Sequence, residues 1–120
     1  MEVNARRGEI VLVNLDPVLG SEQGKTRPAL VIQNDIGNQY SPTTIVAPIT
    51  SKIFSKQFPT NVEIDADNSP LKEKSTILLN QIRTIDKSRI IKNYGKISPK
   101  KLKEANDAIS NSLGLDNYRV

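Results

Sequence analysis

Two cations close a glycine-containing loop directly before an apolar run. Lys25 and Arg27 follow Gly20 and Gly24, and Pro28 comes next. Proline pushes the residue before it toward extended backbone, so Pro28 fixes the direction in which the Arg27 guanidinium leaves the chain. A guanidinium is always charged and forks onto two oxygens, which suits a phosphoryl group in a transition state. The glycines allow positive φ and close approach to a partner. The alternative is a surface arginine before a strand, because the loop matches neither a Walker sequence nor a G-x-G-x-x-G fingerprint.

Two further pairs of side chains can contact phosphate or a base. Thr50 and Ser51 place adjacent hydroxyls at the end of a predicted strand, where they can hold a phosphate or a ribose 2′-OH, or cap the turn. Gln81 and Arg83 share one face if they lie on a strand, because strand side chains alternate. There an amide and a guanidinium can recognise base edges or bind phosphate. The alternative is a cross-strand ion pair between Arg83 and a carboxylate such as Glu63 or Asp65.

The interval 87–103 is rich in cations, and aromatic residues lie in or beside predicted loops. The cations either bind a polyanion or form a solvated face. The aromatic rings either stack on bases or cover the core. The cations are Lys87, Arg89, Lys92, Lys96, Lys100, Lys101 and Lys103, and the aromatic residues are Tyr40, Phe54 and Phe58.

Composition limits the chemistry. The 120 residues include no histidine and no cysteine, and the net charge is +4. Without histidine there is no imidazole base and no histidine-bound zinc, and without cysteine no thiolate or disulfide. The length predicts one domain, residues 1–120. No apolar run is long enough to span a membrane, and the short basic arm at residues 1–8 is not a secretory signal. These features fit a cytoplasmic protein.

The hydrophobic pattern predicts many short strands and one long helix. A helix is expected after Ser98, with Ser98 as N-cap, Pro99 at its first position and Gly114 just past its end. Its apolar stripe contains Leu102, Ala105, Ile109 and Leu113. We expect strands at residues 9–15, 27–33, 43–49, 61–64, 75–85 and 90–97, a turn-rich segment at 34–42, and one helical turn at 86–89. This set indicates a small, strongly bent sheet or barrel.

Taken together, these residues resemble the MazF/PemK family, the toxins of bacterial toxin–antitoxin pairs. The most specific match is Asp-Pro-x-x-Gly-Ser-Glu-Gln-Gly-x-x-Arg-Pro at residues 16–28, with Leu-x-Gln-Ile-Arg-Thr-Ile-Asp at 79–86. Further matches are Arg-Gly-Glu-Ile at 7–10, Val-Ile-Gln-Asn-Asp at 31–35, Thr-x-Ile-Val-Ala-Pro-Ile-Thr-Ser at 43–51, Pro-Thr-Asn-Val at 59–62 and Leu-Gly-Leu at 113–115. They span nearly the whole chain in order.

The resemblance implies a mainly β fold, an SH3-like barrel of strongly bent antiparallel sheet with a C-terminal α-helix and one or two short helical turns. It also implies a symmetric homodimer that cleaves single-stranded mRNA in a sequence-specific manner without a metal or other cofactor. A cognate antitoxin with an acidic, disordered tail would neutralise it. Two alternatives remain: a non-catalytic toxin of the same fold that poisons a topoisomerase, and an SH3-like module that binds a protein.

By position, the resemblance makes Arg27 and Thr50 the catalytic residues. Arg27 would stabilise the phosphorane, and Thr50 would hold the phosphate or orient the attacking 2′-OH. Some relatives have an acid–base pair where this chain has Leu78 and Asn80, so the identity of the general base is open, and Glu22 is the nearby carboxylate nominated for it. The loops at 17–26 and 52–58 are expected to form the walls of an RNA groove. The expected RNA contacts are Gly20, Ser21, Glu22, Gln23, Lys25, Ser51, Lys52, Phe54, Lys56, Gln81 and Arg83.

Overall fold

The computed structural model describes residues 3–115. Its strands are β1 (Glu9–Asn14), β2 (Thr26–Val31), β3 (Thr43–Thr50), β4 (Asn61–Ile64), β5 (Ser75–Leu78), β6 (Arg83–Asp86) and β7 (Ile90–Lys96). The helices are α1 (Asp35–Tyr40) and α2 (Pro99–Leu113), and a 3₁₀ turn covers Lys87–Arg89. Residues 1–2 of the predicted N-terminal arm lie outside the described residues, as do residues 116–120 of the predicted domain.

All strand pairings are antiparallel, and the long strand β3 is their hub. The strand order is β4-β5-β3-β2-β1-β7, and β6 also pairs with β3. The first half of β3 pairs with β6 and its last residues pair with β5. The strand β3 therefore belongs to both halves of the sheet, and the strong bend of the sheet agrees with the prediction from the sequence.

The sheet curls around one of two apolar clusters. The inner cluster draws residues from β1, β2, β3, β6 and β7. Since β6 and β7 lie at opposite ends of this part of the strand order, they share a cluster only if the sheet bends round it. Its members are Val11, Val13, Leu15, Ala29, Val31, Val46, Ile85 and Ile90. The mainly β fold with a C-terminal helix is confirmed, and within residues 3–115 no ladder closes the barrel between β6 and β7.

The helix α2 covers the outer face of the sheet, where the second cluster lies. Ser98 caps it by accepting a hydrogen bond from the Lys101 amide at 3.2 Å, and Gly114 ends it in the left-handed region. Ala105 is buried as predicted, but Leu113 is 54 % exposed. The helix contacts β4, and the cluster beneath it includes Ile10, Leu30, Ile49, Ile64 and Ile77. None of the helices between residues 3 and 115 has the length and apolar character needed to cross a membrane.

The structure corrects the sequence-based elements at two places. The segment 34–42, predicted as turns, contains α1, which Asn34 caps by accepting a hydrogen bond from the Gly37 amide at 2.8 Å. The predicted strand at 75–85 is broken by a turn that separates β5 from β6. The backbone N–H of Gln81 closes this turn by donating to the Leu78 carbonyl. These two strands pair with different parts of β3.

Candidate active site

Arg27 and Thr50 lie at the ends of two neighbouring strands. The antiparallel ladder of β2 and β3 pairs Ala29 with Pro48, and Arg27 near the start of β2 and Thr50 at the end of β3 each lie two residues beyond that pair. Both side chains line one hollow of about 320 Å³, called here the first hollow. The shared cleft that the sequence requires for these two residues is therefore present. The other residues around the first hollow are Pro28, Ile49, Ser51, Leu71, Lys72, Glu73 and Ser75.

The loop before Arg27 holds its guanidinium in place. Arg27 Nε donates to the Gly24 carbonyl at 2.8 Å, and no protein partner of its two terminal nitrogens lies within residues 3–115. A Cβ at Gly24 would lie 2.7 Å from Asp16 Oδ1 and from Val18 Cγ2, so a larger residue there would displace these side chains. The prediction of positive φ at Gly24 is wrong: Lys25 takes φ of 64° instead, and its amide donates to the same Asp16 oxygen at 2.7 Å. Because its Nε is held by the Gly24 carbonyl, the guanidinium keeps its two terminal nitrogens for an anion in the first hollow.

Thr50 sits where β3 ends, and the turn after it is fixed on both sides. Its Oγ1 accepts a hydrogen bond from the Lys52 amide at 3.2 Å, and buried Thr76 donates to the Lys52 carbonyl at 2.9 Å. Because Thr50 Oγ1 accepts that bond, its hydroxyl proton stays available to donate to an anion.

Aromatic rings line a second hollow of about 340 Å³ that shares Thr50 with the first. Phe54 and Phe58 meet edge to face with centroids 5.8 Å apart, and Lys52 Nζ lies 4.8 Å from the Phe54 centroid. Phe58 is 46 % exposed, so its ring is accessible from solvent. The remaining lining residues are Gln23, Thr60, Asn61, Leu78, Asn80 and Gln81.

A third hollow of about 570 Å³ continues the path, sharing Gln23, Asn80 and Gln81 with the second. Where the two hollows meet, the backbone N–H of Gln23 donates to Gln81 Oε1 at 2.9 Å. This bond connects the loop at 17–26 to the β5–β6 turn. Neighbouring hollows share lining residues, and the surface that the three make up is called here the groove. The third is also lined by Pro17, Ser21, Glu22, Pro48, Ile82 and Arg83.

Gln81 and Arg83 differ from the prediction that they share a strand face. Gln81 lies in the turn, and Arg83 begins β6 and donates to the Leu15 carbonyl at 2.8 Å. The alternative ion pair is also not formed, since Glu63 lies 4.0 Å from Lys74 instead. Arg83 therefore lines the third hollow and holds the chain at Leu15, just before the loop at 17–26.

The carboxylates are placed differently from the sequence-based expectation. Glu22 Oε1 accepts a hydrogen bond from the Leu19 amide at 2.5 Å and lines the third hollow, away from the Arg27–Thr50 pair. Glu73 is the one carboxylate among the residues lining the first hollow. Sequence reasoning missed Glu73, because nothing in its local sequence distinguishes it from the exposed charges beside it.

The expected contacts at the margin are exposed. Gly20 takes φ of +56° at the tip of the first loop, Lys25 lies at the end of that loop, and Lys56 lies in the loop at 52–58. None of these three is among the residues that line the hollows, although both loops border the groove.

The predicted basic set at residues 87–103 does not line the groove. Arg89 donates to the Asn14 and Asp16 carbonyls, Lys87 to the Asn38 carbonyl, and Lys101 pairs with Glu104 at 3.2 Å. Tyr40 is 76 % exposed on α1 and also lies outside the groove. These side chains anchor loops or form a solvated face.

A separate hollow of about 440 Å³ beside α1 has polar groups that satisfy one another. Buried Asn38 bonds to Gln33, Asp35 and Thr44. The amide of Arg7, with help from Asn38, holds the pKa of Asp35 below its ordinary value. This network is structural. Across residues 3–115 there is also no group of three or more His, Cys, Asp or Glu placed to hold a metal ion.

The protein is a small bent β-sheet with a groove on its surface. The guanidinium of Arg27 and the hydroxyl of Thr50 lie at one end of the groove, and aromatic rings and side-chain amides line the rest. A family model described as PemK-like, MazF-like toxin of type II toxin-antitoxin system matches residues 6–113, so the chain belongs to this family.

Named relatives agree with that assignment. The chain is 53 % identical over 114 residues to the Endoribonuclease MazF of Staphylococcus saprophyticus, covering 95 % of each chain. It is similar to the crystal structure of MazF from Deinococcus radiodurans, at 26 % identity and a TM-score of 0.80 over 95 % of this chain and 100 % of that one. A MazE-MazF crystal structure from the same organism matches at 26 % identity and a TM-score of 0.74 over 96 % and 100 %.

Proposed function

We propose that this toxin is a sequence-specific endoribonuclease that cleaves single-stranded mRNA without a metal. The observation that carries the proposal is the pairing of Arg27 and Thr50 across the first hollow, with the guanidinium tied at Nε and open at its outer fork. The 53 % identity to a relative named Endoribonuclease MazF supports it.

RNA supplies its own nucleophile in the proposed reaction. The 2′-OH attacks the adjacent phosphorus in line; the new bond is O2′–P and the bond that breaks is P–O5′. The products are a 2′,3′-cyclic phosphate and a 5′-OH, after the leaving O5′ takes up a proton. Arg27 neutralises charge on the non-bridging oxygens, and the Thr50 hydroxyl donates to the same phosphate. A preorganised donor of this kind contributes about 10²–10³ to the rate.

Glu73 is the proposed acceptor of the 2′-OH proton. A general base must come within hydrogen-bond reach of the proton it removes. Glu73 lines the hollow that holds Arg27 and Thr50, whereas Glu22 lines the third hollow and accepts the Leu19 amide. The matched comparison is Glu73→Gln against Glu22→Gln, because both remove one carboxylate charge. A cleavage rate that falls only in Glu22→Gln assigns the role to Glu22 instead.

The groove also suits the partners that the family assignment suggests. A polyanion that follows the groove meets Arg27 at one end and the Phe54–Phe58 pair beyond Thr50. An antitoxin with an acidic, disordered tail would occupy the same surface, and the MazE-MazF structure from Deinococcus radiodurans matches this fold. The proposed toxin is a symmetric homodimer that acts in the cytoplasm.

Incubation of purified protein with a long single-stranded RNA in EDTA tests the activity. Discrete fragments support the nuclease, and Arg27→Ala run beside it controls for contaminating ribonuclease. Intact RNA, together with topoisomerase-dependent DNA breaks in a parallel assay, would instead identify a topoisomerase poison.

A further inference from the structure

The side-chain amide of Gln81 has a fixed orientation. A backbone N–H can only donate, and the Gln23 N–H lies 2.9 Å from one end of this amide, so that end is the oxygen. The other end is therefore the NH₂ group. It has no protein hydrogen-bond partner within residues 3–115, and it offers donors only.

The free NH₂ lies where a base can reach it. Gln81 lines the second hollow, which adjoins the first at Thr50, and it also lines the third hollow. The second hollow is also lined by Phe54 and Phe58, and aromatic rings hold bases by stacking without regard to their identity. Stacking therefore supplies affinity, and the amide is left to supply selectivity.

We infer that Gln81 selects keto bases over amino bases at one nucleotide next to the cleaved bond. Uracil O4 and guanine O6 accept hydrogen bonds, whereas cytosine N4 and adenine N6 donate them. An NH₂ donor pairs with the keto oxygens and faces another donor in the amino bases. Leaving a polar group unpaired in this way costs about tenfold in kcat/KM. The inference rests on the proposed ribonuclease function.

The test begins with wild-type protein and altered RNA. Cut sites are mapped by sequencing fragments of a random RNA pool, and kcat/KM is measured on short RNAs varied next to the cut. One position should favour U or G by about tenfold. There, replacing guanine by 6-thioguanine, or uracil by 4-thiouracil, exchanges the keto oxygen for a poorly accepting sulfur, keeps the neighbouring ring N–H and should lower kcat/KM. An unchanged kcat/KM overturns the inference and leaves the nuclease intact.

A variant reverses the chemistry of the free end. Gln81→Glu keeps an oxygen for the Gln23 N–H and exchanges the free donor for an acceptor, so the preference should move toward A or C. Gln57→Glu makes the same charge change on an exposed residue of the loop at 52–58 and should keep the wild-type preference. Retention of the keto preference by Gln81→Glu contradicts the inference. Wild-type protein that cuts none of the RNAs contradicts the proposed function itself.

Discussion

Replacement of Arg27 is the perturbation that separates catalysis from stability most clearly. Arg27→Ala removes the guanidinium from the first hollow and the hydrogen bond from Nε to the Gly24 carbonyl. Loss of that half-buried bond costs about 1 kcal/mol of the free energy of unfolding. Against a typical total of about 5–15 kcal/mol, at most about one molecule in 10³ would then be unfolded. Unfolding therefore accounts for almost none of a lost rate.

The expected loss of activity is much larger. Removing a preorganised donor costs about 10²–10³ in rate, so Arg27→Ala should lower single-turnover cleavage by at least about 10². Arg27→Lys should fall between the two proteins, because the ammonium keeps the charge and loses the fork. Arg6→Ala removes a cation from an exposed position outside the groove and should stay within about threefold of wild type.

The assay uses an RNA with one cut site, enzyme in excess, and thermal unfolding of each variant in parallel. If folded Arg27→Ala cleaves at a rate within a few-fold of wild type, the assigned role of this guanidinium is wrong.

The other predictions concern the loop, the charge of the groove and acid stability. Gly24→Ala should displace the loop and lower the cleavage rate by about tenfold, because its Cβ would lie 2.7 Å from Asp16 Oδ1. The control variant Thr26→Ala should leave the cleavage rate unchanged, and both rates are measured on one RNA. RNA affinity should fall with salt at a log–log slope of about −0.7 per phosphate contact, measured by fluorescence anisotropy with Arg27→Ala to prevent cleavage; a flat response would exclude ionic binding. Asp35 has its pKa lowered below 3.8 by the Arg7 amide, so its stabilisation is present above that pH and lost as pH falls through the folded value. Asp35→Asn should thus unfold in less urea at pH 7, and the difference from wild type should close below about pH 4.

Local sequence was enough where a local rule decides the structure. Ser98, Pro99 and Gly114 mark the ends of α2 because capping depends on residues a few positions apart. Arg27 before Pro28 marked the start of a strand for the same kind of reason. The resemblance added the pairing with Thr50, and the antiparallel register of β2 and β3 explains how the two meet.

Long-range contacts decided what the sequence did not show. The helix α1 contains Gly37 and polar residues, and it is stabilised by the contacts of buried Asn38 with Gln33 and Thr44. The apolar residues 77–79 and Ile82 suggested one strand, but β5 and β6 pair with separate parts of β3. Glu73 enters the first hollow only through tertiary folding. The expected RNA contacts, the homodimer and the single domain stay predictions.

The chemical ends of the RNA fragments test the central proposal most directly. Cleavage by the RNA's own 2′-OH predicts 5′-OH ends that polynucleotide kinase labels without prior phosphatase, and 3′ ends that carry a 2′,3′-cyclic phosphate. Replacing the 2′-OH at the cut site by hydrogen should abolish cleavage there. Fragments with 5′-phosphate and 3′-OH ends, or continued cleavage of the 2′-deoxy substrate, would contradict the mechanism assigned to Arg27 and Thr50.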